Sequence, residues 1–421
     1  MFYTFLTGNE KQGLNSTMAD IFLARQPIFD FEYKLHGYEL LFRDGFTEQA
    51  EYLNEEIATS QVMLSSLIDM GIEKLTAGND CYINISNNYI DDIDDVVDLP
   101  FGSSSITLEI DINNELSDRH HEVLTRLSSE GVKLAIDHFR PENQQASVLQ
   151  LFDIIKCDTQ TLTPEQLKQA SQLAEKFSCK MIAINIENYQ QISELQGIGI
   201  DYFQGFFLSK PGIKTQKSVP TVLLPVIKTL SRILDPELEL PELEELISSD
   251  VSLSYRVLRL INSARYNIDE IDSISRAIVY LGREAIKNLT IIIILTGVDD
   301  KPTELSKLAL IRAKMCEILA IKIELEDSSS YFSVGLLSVL DAMLDRPMEQ
   351  VLNELNVNDE LKQALLKQGL IGKTLQCVLQ YENCSVSKEN AENIESSELA
   401  DSYLDAVAWA EETYAGLSLE S

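Results

Sequence analysis

A chain of 421 residues with 45% hydrophobic content is long enough to bury two cores of ordinary size. Its formal net charge of −33 argues against nonspecific binding to nucleic-acid backbones or anionic membranes, since a strongly acidic surface repels both. Six cysteines without a C-x-x-C pair, mainly in apolar runs, fit reduced and buried thiols in a cytoplasm rather than a disulfide framework.

The first stretch, 1–17, has an aromatic start without a basic flank, so it reads as a disordered extension and not as a secretory signal, with Met18 a candidate start. Strand-like runs follow at 21–28, 38–43, 81–86, 105–110, 133–139, 154–158, 180–186 and 202–209. Between them, 56–76, 116–130, 143–152, 164–178 and 188–196 carry apolar residues at i, i+3, i+4 spacing, the signature of amphipathic helices. Strand and helix in alternation predict a parallel sheet, and this many strands allow closure into a TIM-like (β/α) barrel over 18–211.

After Lys210-Pro211-Gly212 the pattern changes. Residues 212–220 are polar and Pro-bounded, as expected of a linker. Helical periodicity then runs through 221–234, 241–249, 251–263, 272–281, 283–297, 303–325, 330–345, 358–368, 371–381 and 395–415. The expected class is therefore α/β followed by all-α, with the helical unit at 221–416 and a tail at 417–421. The most apolar run, Leu289 to Val298, is about half the length of a bilayer span and reads as a buried helix.

Glu39, Asn84, Glu109, Asp137 and Lys156 each fall within or at the end of one predicted strand. A polar group beside β-branched neighbours needs a compensating partner. Barrel strand ends converge on one face, so a shared site in which carboxylates gather around a divalent cation and a phosphate is the economical reading. A purely structural reading stays open beside it: Glu39 pairing with Arg43, Asp137 capping the next helix, and Lys156 neutralising either acid.

The strings RQPIFD (25–30), GYELLFR (37–43), INIS (83–86), LEI (108–110), IDHF (136–139), IIKCD (154–158) and YFQGFFLSKP (202–211) occur in the order found in an EAL domain, which this half resembles. The resemblance implies a barrel phosphodiesterase that linearises cyclic di-GMP with divalent metal, Mg or Mn. It implies metal ligation by Glu39, Asn84, Glu109 and Asp137, whose oxygens suit hard cations. It puts Lys156 near the attacking water, as the catalytic residue of an active site, and Gln26, Arg43, Glu187 and Gln204 at the ligand.

Three positions depart from the family pattern. The paired aspartates are Asp137-His138, the Gly/Ser-rich loop is replaced by RPENQQASVLQL (140–151), and the general-base acid is replaced by Ile184 in AINIE (183–187). Loss of a general base commonly removes about two to four orders of magnitude in rate. A degenerate domain that is open to binding cyclic di-GMP is therefore expected, with an active enzyme producing pGpG as the alternative.

In the second half, ELEELISSDVSLSYRVLRLINSARY (242–266) and ISRAIVYLGREAIKNLT (274–290) resemble an HDOD domain. All four histidines (36, 120, 121 and 138) precede residue 139, so this half lacks the imidazoles of a metal phosphohydrolase. The combined resemblance, to the YuxH-like group of EAL–HDOD signalling proteins, implies a cytoplasmic protein acting through contact with an unidentified regulatory protein.

Overall fold

The computed structural model describes residues 21–44, 72–85, 90, 106–112, 116–142, 146–210, 224–262, 271–298, 301–325, 327–387 and 394–418. The expected extension 1–17, Met18, the linker 212–220 and most of the helix at 56–76 lie outside them.

Eight strands close into a barrel in chain order: β1 Ile21–Phe29, β2 Leu35–Asp44, β3 Asp80–Ile85, β4 Ile106–Asp111, β5 Lys133–Asp137, β6 Ile154–Asp158, β7 Lys180–Ile184 and β8 Tyr202–Gln204. From β2 to β8 the pairing is parallel. The all-parallel expectation needs one correction, because β1 runs antiparallel to both β2 and β8. The cause is local. Only Asp30–Lys34 separates β1 from β2; Asp30 Oδ1 accepts from the N–H groups of Glu32 and Lys34, and Tyr33 turns the chain at φ +59°. A crossover helix does not fit there, so a hairpin forms.

Period-two alternation sends Ile28, Tyr82, Ala135, Ile154, Ile182 and Ile184 into one small apolar cluster inside the barrel. The outward residues join a larger core with the surrounding helices, α1 Ile72–Thr76, α2 Asp118–Ser129, α3 Ala146–Leu149, α4 Pro164–Phe177 and α5 Tyr189–Leu195. Three of these start on capping boxes: Ser117 with His120, Thr163 with Gln166, and Asn188 with Gln191. Each box satisfies N–H groups that the first helical turn would otherwise leave open.

The remainder is helical, as expected: α6 Leu224–Ile233, α7 Leu240–Ser248, α8 Val251–Asn262, α9 Ile274–Leu281, α10 Arg283–Thr296, α11 Thr303–Lys322, α12 Ser328–Leu337, α13 Leu340–Leu344, α14 Met348–Glu354, α15 Asp359–Leu365, α16 Gly369–Glu382 and α17 Ser396–Ser418. The run at 289–298 lies mostly in α10, where Leu289 to Ile293 and Leu295 are buried. The stretch expected as one helix at 330–345 breaks into α12 and α13. Helix α14 has no counterpart in the sequence reading, since a seven-residue element burying only Val351 and Leu352 is too short to show a period. At Gly335 a Cβ would fall 2.4 Å from the Arg312 carbonyl oxygen, so glycine lets α12 approach the α11 backbone.

The hairpin has a consequence for packing. With no crossover helix between β1 and β2, helices α16 and α17 pack against β1. Strand β8 reaches β1 only at Ile28 and Phe29, and hydroxyls from the helical unit serve the β1 edge beyond it. The Tyr381 hydroxyl bonds both the N–H and the C=O of Leu23 at 3.1 Å, and the Tyr403 hydroxyl accepts from the Arg25 N–H at 3.3 Å. Buried backbone groups need such partners.

Candidate functional site

Seven polar side chains enter the barrel from seven strands. Glu39 comes from β2, Asn84 from β3, Glu109 from β4, Asp137 from β5, Lys156 from β6 and Gln204 from β8, each on the inward parity of its strand. Gln26 comes from the antiparallel β1 and lies in direct register with Glu39. The parallel strands bring Asn84 beside Glu109 in the same way.

Lys156 is the centre of the arrangement. Its Nζ donates at 2.7 Å to Glu39 Oε2 and at 2.7 Å to both oxygens of Glu109, and lies 3.9 Å from Asp137 Oδ1. Glu39 is held from three sides, because Asn84 Nδ2 donates to its Oε1 at 2.7 Å and Gln204 Nε2 to its Oε2 at 2.6 Å. The same Gln204 nitrogen donates to Gln26 Oε1 at 2.6 Å. Lys156 and Glu109 are each only 1% exposed.

The electrostatics follow from that burial. Desolvation, then the neighbouring Glu39, pushes the Glu109 carboxyl well above the usual carboxylate range. For Lys156 burial works against the charge, yet Glu109, Glu39 and Asp137 outweigh it and hold the ammonium protonated. Of the structural alternatives read from sequence, neutralisation by Lys156 forms, and it spans both glutamates, while the pairing of Glu39 with Arg43 lies outside the described residues.

Asp137 and His138 form a second pair. His138 Nδ1 lies 2.9 Å from Asp137 Oδ2, and the His138 N–H donates to Asp137 Oδ1 at 2.9 Å, with His138 in the left-handed region at φ +48°. The hydrogen bond that its ring donates to Asp137 raises the His138 pKa against the opposing effect of partial burial. A folded-state value above the unfolded one means that the imidazolium stabilises the fold below about pH 6.5 and that this contribution is lost as pH rises through the raised value. A chemical-shift titration is expected to place the His138 midpoint above about 6.5 and to return it toward that value in Asp137→Asn. A wild-type midpoint at or below the unperturbed value would refute the pairing.

Other sequence candidates lie elsewhere. Glu187 is exposed and outside the cluster; its Oε1 accepts from Gln160 Nε2 at 3.0 Å and its Oε2 lies 3.6 Å from Lys210 Nζ. Arg43 occupies β2 opposite Phe22, with its side chain outside the described part of the structure. Ile184 ends β7, buried in the barrel cluster and in register with Asp158. Asp158 itself is a buried carboxylate to which the sequence reading gave no role, although its position two residues after Lys156 signals the same strand face. Its Oδ1 accepts from the Gln160 N–H at 2.8 Å, which closes the turn after β6. Gly205 fixes Gln204: a Cβ there would meet the Ile186 carbonyl oxygen at 2.1 Å, where the two backbones touch.

In donor type, though not in disposition around one shared point, the set suits a hard divalent cation. Glu39, Glu109, Asp137 and Asn84 offer oxygen, and the buried Gln204 Oε1 has no hydrogen-bond partner among the described residues. Among the described residues no three His, Cys, Asp or Glu side chains are disposed around a common vacant metal position, and the Lys156 ammonium takes the shared centre.

Two domain models match the chain, one over each half. Residues 20–211 match the EAL domain model and residues 217–373 the HDOD domain model. The uncharacterised protein YuxH of Bacillus subtilis is 28% identical over 407 residues, spanning 92% of this chain and 98% of its own. The cyclic di-GMP phosphodiesterase CdgJ of Vibrio cholerae is 29% identical over 380 residues, spanning 88% of this chain and 87% of its own. Among solved structures, a manganese and cyclic di-GMP complex of Klebsiella pneumoniae BlrP1 is 20% identical, with a TM-score of 0.38, over 46% of this chain and 56% of that one. No helix among the described residues is long and apolar enough to cross a membrane. The barrel and most of the helices behind it each match their own domain model in that order, so the chain carries an EAL domain followed by an HDOD domain.

Proposed function

We propose that this protein is a cyclic di-GMP receptor: the barrel, 18–211, binds the dinucleotide with Mg or Mn, hydrolysis is lost, and the helical unit, 221–416, passes the bound state to a regulatory protein in the cytoplasm. The observation that carries this reading is the contrast at the barrel mouth. Glu39, Asn84, Glu109, Asp137, Lys156, Gln26 and Gln204 remain together around one lysine, while the neighbouring β7 ends in Ile184, which cannot accept a proton.

A divalent ion, when bound, would neutralise phosphate charge and polarise its oxygens. The chain's own residues do the rest. Gln26 and Gln204 orient Glu39, and Lys156 supplies a fixed positive charge beside the ligands. His138 puts a group that gains positive charge where a second carboxylate would favour a second cation.

The competing reading is an active phosphodiesterase producing pGpG. It is favoured by the presence of all four expected metal ligands, Glu39, Asn84, Glu109 and Asp137, and by the activity that CdgJ is named for. Calorimetric titration of cyclic di-GMP with Mg²⁺ or Mn²⁺, with chromatography for pGpG, separates the two. Micromolar binding without product is the expected result. Turnover abolished by Glu39→Ala would make the protein an enzyme, and absence of binding would sink both readings.

A further inference from the structure

On the outer face of the hairpin that carries Gln26 and Glu39 lies a second buried charge network, built jointly by the barrel and the helical unit. Arg25 Nη2 donates to Glu411 Oε1 of α17 at 2.6 Å, and the Tyr38 hydroxyl donates to Glu304 Oε2 of α11 at 2.5 Å. Lys307 closes the ring, 3.0 Å from Glu304 Oε1 and 3.0 Å from Glu411 Oε2. The Arg25 guanidinium stacks over the Tyr38 ring at 4.3 Å and also donates to the Leu75 carbonyl at the end of α1. Side-chain exposure is 3% for Arg25, 5% for Glu304, 11% for Lys307 and 17% for Glu411, so water does little to compensate a missing partner.

Strand alternation ties this network to the site. Arg25 and Gln26 are consecutive on β1, Tyr38 and Glu39 consecutive on β2, and Gln26 faces Glu39 in register. Neighbouring residues on a strand point to opposite faces of one rigid backbone, so displacement of the outer pair carries the inner pair with it. A ring of two cations and two anions docks as a unit, since removing one member strands another charge.

We propose that Glu411 and Glu304 of the helical unit are positioning residues for the barrel site, acting through Arg25 and Tyr38 on the back of the strands that hold Gln26 and Glu39. The direction of the effect is reciprocal: a ligand that moves Glu39 loosens or tightens α17, and a partner that moves α17 changes affinity at Glu39. The identity of that ligand as cyclic di-GMP rests on the function proposed above; the linkage itself does not.

The test uses the full chain, with Glu411→Gln to remove one charge at constant shape and Tyr38→Phe to remove only the hydroxyl. Hydrogen exchange is read at β3 and β8, which hold Glu39 through Asn84 and Gln204. Faster exchange there in both variants is expected, with no change in Leu230→Ala, which weakens the helical core without touching the network. Calorimetry with cyclic di-GMP and Mn²⁺ is expected to show about a five-fold or larger loss of affinity in both variants. Unchanged exchange at β3 and β8, or wild-type affinity in either folded variant, overturns the inference. A wild-type protein that binds no dinucleotide sinks the receptor reading alone, because the exchange measurement still decides the linkage.

Discussion

Lys156→Met is expected to make the barrel dependent on added divalent metal for its stability. The wild-type ammonium is the counter-charge for Glu39 and Glu109, at 2.7 Å from each, in a place almost without water. Removing one member of a buried ion pair typically costs about 3–5 kcal/mol, because the other member is left charged and desolvated. At about 2–4 °C per kcal/mol for units of this size, the barrel transition should fall by roughly 6–20 °C.

The pH dependence follows from the sign of the Glu109 shift. A carboxyl whose folded pKa is raised contributes stability below its unfolded value, and that contribution is lost as pH rises through the raised value. The variant's deficit should therefore be smaller near pH 5 than near pH 8. In the wild type the raised Lys156 pKa keeps the opposite charge in place across the same interval. Mn²⁺ at about a hundred times its dissociation constant would return roughly 2.7 kcal/mol. Melting curves of both proteins at two pH values, with and without Mn²⁺, check this. A variant that melts like the wild type at pH 8 would show that the lysine is not the counter-charge.

Ile184→Glu is expected to raise linearisation of cyclic di-GMP, and Ile184→Glu with His138→Asp to raise it further, by about two to four orders of magnitude over the wild type. Ile184 has the position for it: it ends β7 on the inward parity shared with Ile182, whose register partner is Lys156. A carboxylate at 184 would add a proton acceptor where an isoleucine now stands, and an aspartate at 138 would add oxygen where an imidazole now pairs with Asp137. Product formation followed by chromatography decides the matter. A wild type already working at the rate of the double variant would show that Ile184 is no obstacle.

Much of the barrel was legible because strand and helix periods are local. Ile154–Asp158 emerged at the expected residues, and α4 began on its Thr163–Gln166 box within one residue of its expected end points. The inward polar set was legible for the same reason: apolar neighbours made Glu39, Glu109 and Lys156 conspicuous before any partner was known. The direction of β1 was not legible, since an apolar run reads alike in both senses and only the short Asp30–Lys34 turn settles it. Glu187, expected at the ligand from its place in AINIE, stands at the surface outside the polar cluster, after the left-handed turn at Asn185, φ +61°. Arg25 gave no sign of its role, because its partner Glu411 lies 386 positions away and no local pattern spans that distance.

The helix tyrosines that bond to β1 also bear on how the molecule is made. Leu23 meets Tyr381 across 358 positions, so β1 leaves the ribosome well before the helix that seals its margin. Until then that margin is a template on which another nascent chain could pair. Fast translation of the helical half, or a chaperone parked on the waiting ribbon, would shorten the hazard.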